Sequence, residues 1–257
     1  ATEWLGPRTE QEIQRALDRE VEADRWTSLD NGLQSRVGED GIVDLRPLPA
    51  GAPDRRTLLF AGRAQKLERL GLATPAGPAR WTLRPDIESR LRELGDRGDI
   101  IKSMHRAMRD AGHAIHEGRL AIHPPGTPQA VTGRLVARGL QDELTGTAYA
   151  IVDGVDGRHH HLRFGDLELT GDAPVGAIVE LRGWQDRNGV QRSALAVRSD
   201  LPIESQVTAR GATWLDRQLL ARDTAQASVG FGAEVREAMA AREDHLVAEG
   251  LATRMGK

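Results

Sequence analysis

The sequence predicts an α+β chain built from several small modules, and three observations carry that prediction. Between residues 131 and 199, five short β-type runs alternate with glycine turns. On both sides of them, apolar residues recur at helical spacing. A helix followed by Gly71 and two short β-type runs around Pro75-Ala76-Gly77-Pro78 adds a second, smaller sheet. At 257 residues the chain is long enough to bury two or three modest cores.

The five runs lie at 131–138, 148–152, 158–164, 177–184 and 192–198, with Asp153-Gly154, Asp156-Gly157 and Asn188-Gly189 as turns. Asn-Gly is a preferred two-residue hairpin pair because both positions tolerate positive φ. In the third run Arg158, His160, Leu162 and Phe164 share one face, and His159, His161 and Arg163 share the other. Five such strands in about 70 residues predict a small five-stranded β-barrel of OB or SH3-like type over residues 130–200.

The flanks read in order. Thr9 and Glu12 form a capping-box pattern ahead of Ile13, Leu17 and Val21, which predicts a helix over 10–23. Trp26, Leu29 and Leu33 predict a second helix to about residue 37, followed by a short strand at 41–45 and a proline loop through Pro47, Pro49 and Pro53. Asp54 caps a third helix over 55–70, which Gly71 stops, and the hairpin 72–83 follows. Helices followed by a helix-Gly-strand-turn-strand unit are the winged-helix arrangement, assigned here to residues 1–95. Two helices are then expected, at 86–94 and 99–114. Residues 96–129 are read as a helical connector and a proline-rich linker.

Beyond the barrel, helices are expected at 211–220 and 233–249, with a loop between them. Leu-Glu-Arg-Leu-Gly-Leu-Ala-Thr at 67–74 is echoed by Leu-Val-Ala-Glu-Gly-Leu-Ala-Thr at 246–253, with five of eight positions matching. Residues 201–257 therefore read as the start of a second winged-helix-like unit, cut short, and the chain as a fragment of a longer protein.

Composition narrows the function. There is no cysteine, no apolar run long enough to span a bilayer and no signal-peptide core, which fits a cytoplasmic protein without membrane insertion. The net charge of -3 hides an asymmetry: residues 1–53 carry net -5 and residues 54–109 net +6. Arginine supplies a planar fork suited to phosphate, so the clustered Arg55, Arg56, Arg63, Lys66 and Arg69 on the third helix, with Arg80 on the wing, are the DNA-binding candidates. The competing reading pairs them with Asp18, Glu20, Glu22 and Asp24 of the acidic first helix.

Tyr149, Phe164 and Trp184 are candidates for a base-stacking platform on the barrel, against ordinary core packing. His159-His160-His161 points to opposite faces of a strand, which argues for a solvated strand face and against a metal site. No nucleophile elbow, Walker loop or His-Glu-x-x-His run is present, so neither catalytic residues nor cofactors are assigned.

At Gly-Arg-Leu-Val-Ala-Arg-Gly-Leu-Gln-Asp-Glu-Leu-Thr-Gly-Thr-Ala-Tyr-Ala-Ile-Val-Asp-Gly, residues 133–154, the sequence resembles the region C-terminal to the nuclease in conjugative relaxases. The likeness extends over 170–181, 198–202, 211–220 and 230–236, and upstream over 65–73 and 97–102. Relaxases nick a transfer origin with an N-terminal tyrosine and a histidine-metal motif, and pass with the DNA through a type IV secretion channel. Neither Tyr149 nor His159, His160 or His161 matches those motifs. The resemblance therefore implies a non-catalytic accessory region of a bacterial mobilisation nuclease. Its expected partners are transfer-origin DNA or, alternatively, the type IV secretion coupling protein. The parent protein would act in the donor cytoplasm and pass into the recipient.

Overall fold

The computed structural model describes residues 10–46, 54–221 and 226–253. The cap expected at Thr9 and the proline loop at 47–53 lie outside the described residues. The fold is mixed α+β and divides into two compact units, residues 1–100 and 101–257. Among the described residues no helix is long and apolar enough to cross a membrane.

In the first unit, α1 (Glu10–Val21), α2 (Ser28–Gln34) and α3 (Arg55–Arg69) surround a core closed by a three-stranded sheet. Its strands are β1 (Ile42–Asp44), β2 (Ala73–Gly77) and β3 (Arg80–Leu83), in the order β1-β3-β2. Leu29, Leu33, Val43, Phe60, Leu67 and Trp81 fill the centre. The apolar positions 60, 64 and 67 share one face of α3, as the helical period requires. Asp54 caps this helix by accepting from the Thr57 N–H at 2.7 Å.

A charged group holds the first core together. Arg63 is fully buried on α3 and clasps Asp30, with Nε and Nη2 donating to the two carboxylate oxygens at 2.7 and 2.9 Å. Its Nη1 and Nη2 also donate to the carbonyls of Val21, Ala23 and Arg25, which close off the chain between α1 and α2. Asp30 is oriented in turn by the N–H and hydroxyl of Thr27, each at 2.8 Å, in a capping box at the start of α2. All five guanidinium protons thus have a designated acceptor, which is the condition for burying such a charge.

α4 (Ile87–Asp110) is one continuous helix, where two helices with a break near residues 95–98 were expected. Glycine weakens a helix by about 1 kcal/mol but does not end it. Gly95 also has a steric role: a Cβ there would lie 2.9 Å from Arg25 Cβ.

The second unit contains a six-stranded sheet, ordered β4-β7-β6-β5-β8-β9, which corrects the expected small five-stranded barrel: there is one more strand and the sheet does not close. The strands are β4 (Leu120–His123), β5 (Val131–Asp142), β6 (Thr147–Gly154), β7 (His159–Phe164), β8 (Ile178–Gln185) and β9 (Gln191–Ser199). Five of them fall where the alternation and turns placed them. The additional strand, β4, comes from the stretch read as linker and pairs parallel with β7, leaving β4 and β9 as the two edges. Bulges in β5, between Leu135 and Ala137 and between Leu140 and Asp142, bend the sheet around a core of Leu135, Val152, Leu162, Phe164, Val179 and Leu181.

The short helix α5 (Ile203–Val207), α6 (Trp214–Ala221) and α7 (Phe231–Ala248) form a third cluster. Ile203, Trp214, Leu215, Phe231 and Val235 pack there with Ile178 of β8. A second buried arginine, Arg242, clasps Asp216 at 2.9 and 3.0 Å.

Truncating Arg63 leaves a buried carboxylate without its cationic partner and three carbonyls without the donor they share. We expect Arg63→Ala to lower the stability of the first unit by about 3–5 kcal/mol. Arg63→Lys should recover little, because an ammonium cannot reproduce the fork. Urea unfolding followed through tryptophan fluorescence measures both. A loss below about 1 kcal/mol for the alanine variant contradicts the assignment.

Candidate nucleic-acid interface

α3 and the β2–β3 hairpin carry all six basic residues singled out in the sequence, and the structure divides them. Arg63 does not lie on the exposed side: it is inside the core, committed to Asp30, so it is withdrawn from the DNA-binding set. Lys66 pairs with Asp24 at 2.8 Å, and Arg69 with Glu22 at 2.8 Å. Arg80 lies 3.5 Å from Asp40 and 3.8 Å from Asp44. The acidic segment that follows α1 therefore neutralises the C-terminal half of the basic helix, as the competing reading held.

Arg55 and Arg56 stand apart. Both are exposed in the first turn of α3 and neither has an ion pair with any described residue. Arg36, just past α2, joins them. Its guanidinium lies 4.3 Å from the centroid of the Phe60 ring, and that of Arg56 lies 5.6 Å away on the same ring. Arg36 was not among the sequence candidates. Only the packing of α2 on α3 brings it there, and no spacing rule links residue 36 to residue 56.

Beside these arginines is a cleft of about 440 Å³ lined by Gln14, Leu17, Ser28, Leu29, Leu59 and Phe60 with Arg55 and Arg56. Asp54 places one negative charge at the same turn: its carboxyl accepts from Thr57 and is held below the usual carboxylate range by that bond first, and then by Arg56 and Arg36. The first turn of α3 thus combines free N–H groups, the positive end of the helix dipole and three arginines.

The stacking trio does not form a platform. Phe164 is 1% exposed in the sheet core, opposite Ala148, and is unavailable to a ligand. Tyr149 has the opposite parity, pairs in register with Arg163 and stacks on His161 with centroids 5.5 Å apart. Trp184 is exposed where β8 and β9 project as a hairpin, flanked by Arg182 and opposite Arg192. Strand alternation sends the three rings to different places.

β7 was expected to carry a solvated histidine face, and both of its faces are covered instead. His159, His160 and His161 are all nearly inaccessible. His160 bridges His123 at 2.9 Å and Asp156 at 3.0 Å. His159 lies 3.0 Å from Asp153, whose other oxygen accepts from Arg134 at 3.0 Å. Arg134 reaches further, to Glu234 at 2.8 Å and His113 at 3.2 Å, and its guanidinium caps the Phe231 ring at 4.5 Å. This network pins the first turn of α7 to β5 and β6. Among the described residues no three His, Asp or Glu side chains are placed to share a metal ion.

Three imidazoles of the network, those of His161, His123 and His113, resist protonation. His161 is pushed down to about 4, by burial first and then by Arg163 and His123. His123 and His113 are also lowered, again mainly by burial. A histidine depressed in the folded state contributes stability fully above its unfolded value near 6.5, and that contribution is lost as pH falls through about 4. For His161 the loss amounts to at most about 3 kcal/mol. Urea midpoints at pH 7 and pH 4 should therefore converge when wild type and His161→Gln are compared at the lower pH. A difference between the two proteins that does not change with pH would remove the assignment.

No curated protein and no solved structure matches the chain. A family described as a protein of unknown function, DUF3363, matches residues 60–190 and 184–257. Those two matches together take in most of the sequence, and the chain belongs to the DUF3363 family.

Proposed function

We propose that this chain is a non-catalytic accessory region of a conjugative relaxase that binds duplex DNA at the transfer origin. The observation that carries the reading is the group Arg36, Arg55 and Arg56, exposed around the first turn of α3 and in no ion pair with any described residue. The element order α1-α2-β1-α3-β2-β3 with a β1-β3-β2 sheet is compatible with a winged helix, in which the third helix enters a major groove. In that pose the first turn of α3 meets the phosphates. The likeness of residues 133–154 and the flanking stretches to the post-nuclease region of relaxases supplies the biological setting. The bent six-stranded sheet is compatible with an OB-like role, with Trp184 as its one exposed candidate ring.

A second reading, docking onto the type IV secretion coupling machinery, is favoured by leucines presented to solvent, Leu144 at 97% and Leu220 at 84% exposure. Burying such side chains is what a protein partner offers and DNA phosphates do not.

Three phosphate contacts predict that the log of affinity for duplex falls with log salt at a slope of about -2.7. Arg55→Ala with Arg56→Ala should bring the slope to about -0.9. Lys66→Ala and Arg69→Ala should leave it nearly unchanged, because Asp24 and Glu22 already neutralise those cations. Fluorescence anisotropy on transfer-origin and unrelated duplexes reads all of this. Weak binding that ignores the Arg55 and Arg56 changes, or a slope set by Lys66 and Arg69, would sink the DNA reading.

A further inference from the structure

β5 pairs with β8 only as far as Leu181, and beyond it β8 and β9 run on as a two-stranded hairpin. Its pairing extends from Arg182 opposite Ala194 to Gln185 opposite Gln191. The tip is tied by its own backbone: the Asp186 N–H donates to the Val190 carbonyl and the Gly189 N–H to the Asp186 carbonyl, both at 2.9 Å. One carboxylate oxygen of Asp186 also accepts from the N–H groups of Asn188 and Val190, at 2.9 and 3.0 Å. Gly189 supplies the left-handed φ of 77° that this turn needs. Strand alternation gives the hairpin two faces, and one of them is covered. Gly183 and Ser193 lie opposite each other there, and the segment 126–128 crosses over them. The Gly126 N–H donates to the buried Ser193 hydroxyl at 3.2 Å. A Cβ on Gly183 would lie 3.3 Å from the Thr127 carbonyl oxygen, so the missing side chain is what lets the segment pass so close.

The other face is open. It carries Arg182 and Trp184 on β8, with Ala194 opposite Arg182 and Arg192 opposite Trp184. Trp184 is 44% exposed, and Arg182, Arg187 and Arg192 are exposed as well. Arg192 donates through Nε to Asp186 at 3.1 Å, which holds its side chain toward the tip. Arg182 and Arg187 are in no ion pair with any described residue. Between residues 182 and 192 three arginines stand against a single aspartate. The hairpin thus presents one large flat ring with cationic margins, on a support fixed from behind.

We infer that this face of the β8–β9 hairpin binds single-stranded DNA, with one base stacked on Trp184 and the flanking phosphates held by Arg182 and Arg192. An indole ring stacks on any base, and a base offers its flat face only when it is outside a duplex. Guanidinium forks beside the ring suit the phosphates that follow each base at short intervals. Because segment 126–128 and the tied tip already fix the hairpin, little ordering is needed when the strand arrives. A protein partner fits the face less well. Binding hot spots on proteins sit within a rim of contacts that excludes water, and the residues around Trp184 on this face are two arginines and Ala194. The choice of DNA over RNA rests on the DNA-binding function proposed above, whereas the stacking and the phosphate contacts do not.

The probe is a fluorescently labelled thymidine dodecamer, titrated with the whole chain and followed by anisotropy. It should bind saturably, and Trp184→Ala should weaken the binding about tenfold. Trp184→Phe should keep most of the affinity and Trp184→Leu should not, because only an aromatic ring stacks. Arg182→Ala should lower the slope of log affinity against log salt by about 0.7, the value for one phosphate of a single strand. Trp184 and Arg182 are surface residues, so an unchanged thermal transition certifies that each variant is folded. Absence of saturable binding, or equal binding by the wild type and Trp184→Leu, overturns the proposal. Tighter binding of a uridine dodecamer overturns it too, and so does a loss of duplex affinity in Trp184→Ala as large as the loss for the single strand. Arg55→Ala with Arg56→Ala should leave the dodecamer bound as before. If that double variant loses the dodecamer while Trp184→Ala retains it, the hairpin is excluded and the duplex reading survives. If no duplex binds but the dodecamer still responds to Trp184, the duplex reading fails and the hairpin site stands.

Discussion

The arrangement of the helical elements depends on a buried guanidinium that serves as an assembly point. Arg63 satisfies a carboxylate and three carbonyls from one side chain, and its acceptors run from the last residue of α1 through the intervening turn into α2. A hydrophobic residue of equal volume would fill the space but leave those carbonyls without donors in a dry interior, at a cost of about 1–3 kcal/mol each. The clasp thus defines a conformation for a segment that has no regular secondary structure to define it. Its recurrence around Arg242, with the same acceptors at the same intervals, shows that the device is local and portable.

This structural use of arginine reshapes the electrostatics. A helix with five basic residues spends three of them on aspartates and glutamates from the segments around α1 and α2. The remaining positive charge is concentrated at the first turn of α3, where the helix dipole reinforces it and Arg36 adds to it across a shared aromatic ring. The first turn of α7 instead carries Glu234, which is bonded to Arg134 of β5.

The large sheet shows a related economy. Its histidines are placed in pairs with carboxylates and with one another, so that polar groups on a strand buried on both faces are mostly satisfied. The exceptions in that strand are His159 Nε2, His161 Nδ1 and Arg163 Nε. Low pH acts on that strand through His161, whose burial opposes the charged form.

Local chemistry in the sequence accounted for much of this architecture. Alternation and glycine turns located β5 to β9, and the Asp54 cap with Gly71 bounded α3. Those signals act between residues close in the chain, and so they survive translation into three dimensions. The echo at 246–253 pointed to a second helix-Gly unit for the same reason. The Thr-x-x-Asp runs at 27–30 and 213–216, each followed by an arginine eight residues before a stop glycine, would have extended that echo into the whole clasp. What tertiary structure decided was everything that pairs distant residues. β4 joins β7 in parallel across a stretch with no alternation of its own, and α4 continues through two glycines, which weaken a helix without ending it. Arg63 looks like its basic neighbours in composition and spacing, and only the approach of Asp30 from another helix separates a buried strut from a surface charge. Arg36 is the converse: an unremarkable residue in the sequence, brought to the α3 start because packing places it over Phe60. Burial and partnership are properties of the assembled core, and a local pattern contains neither.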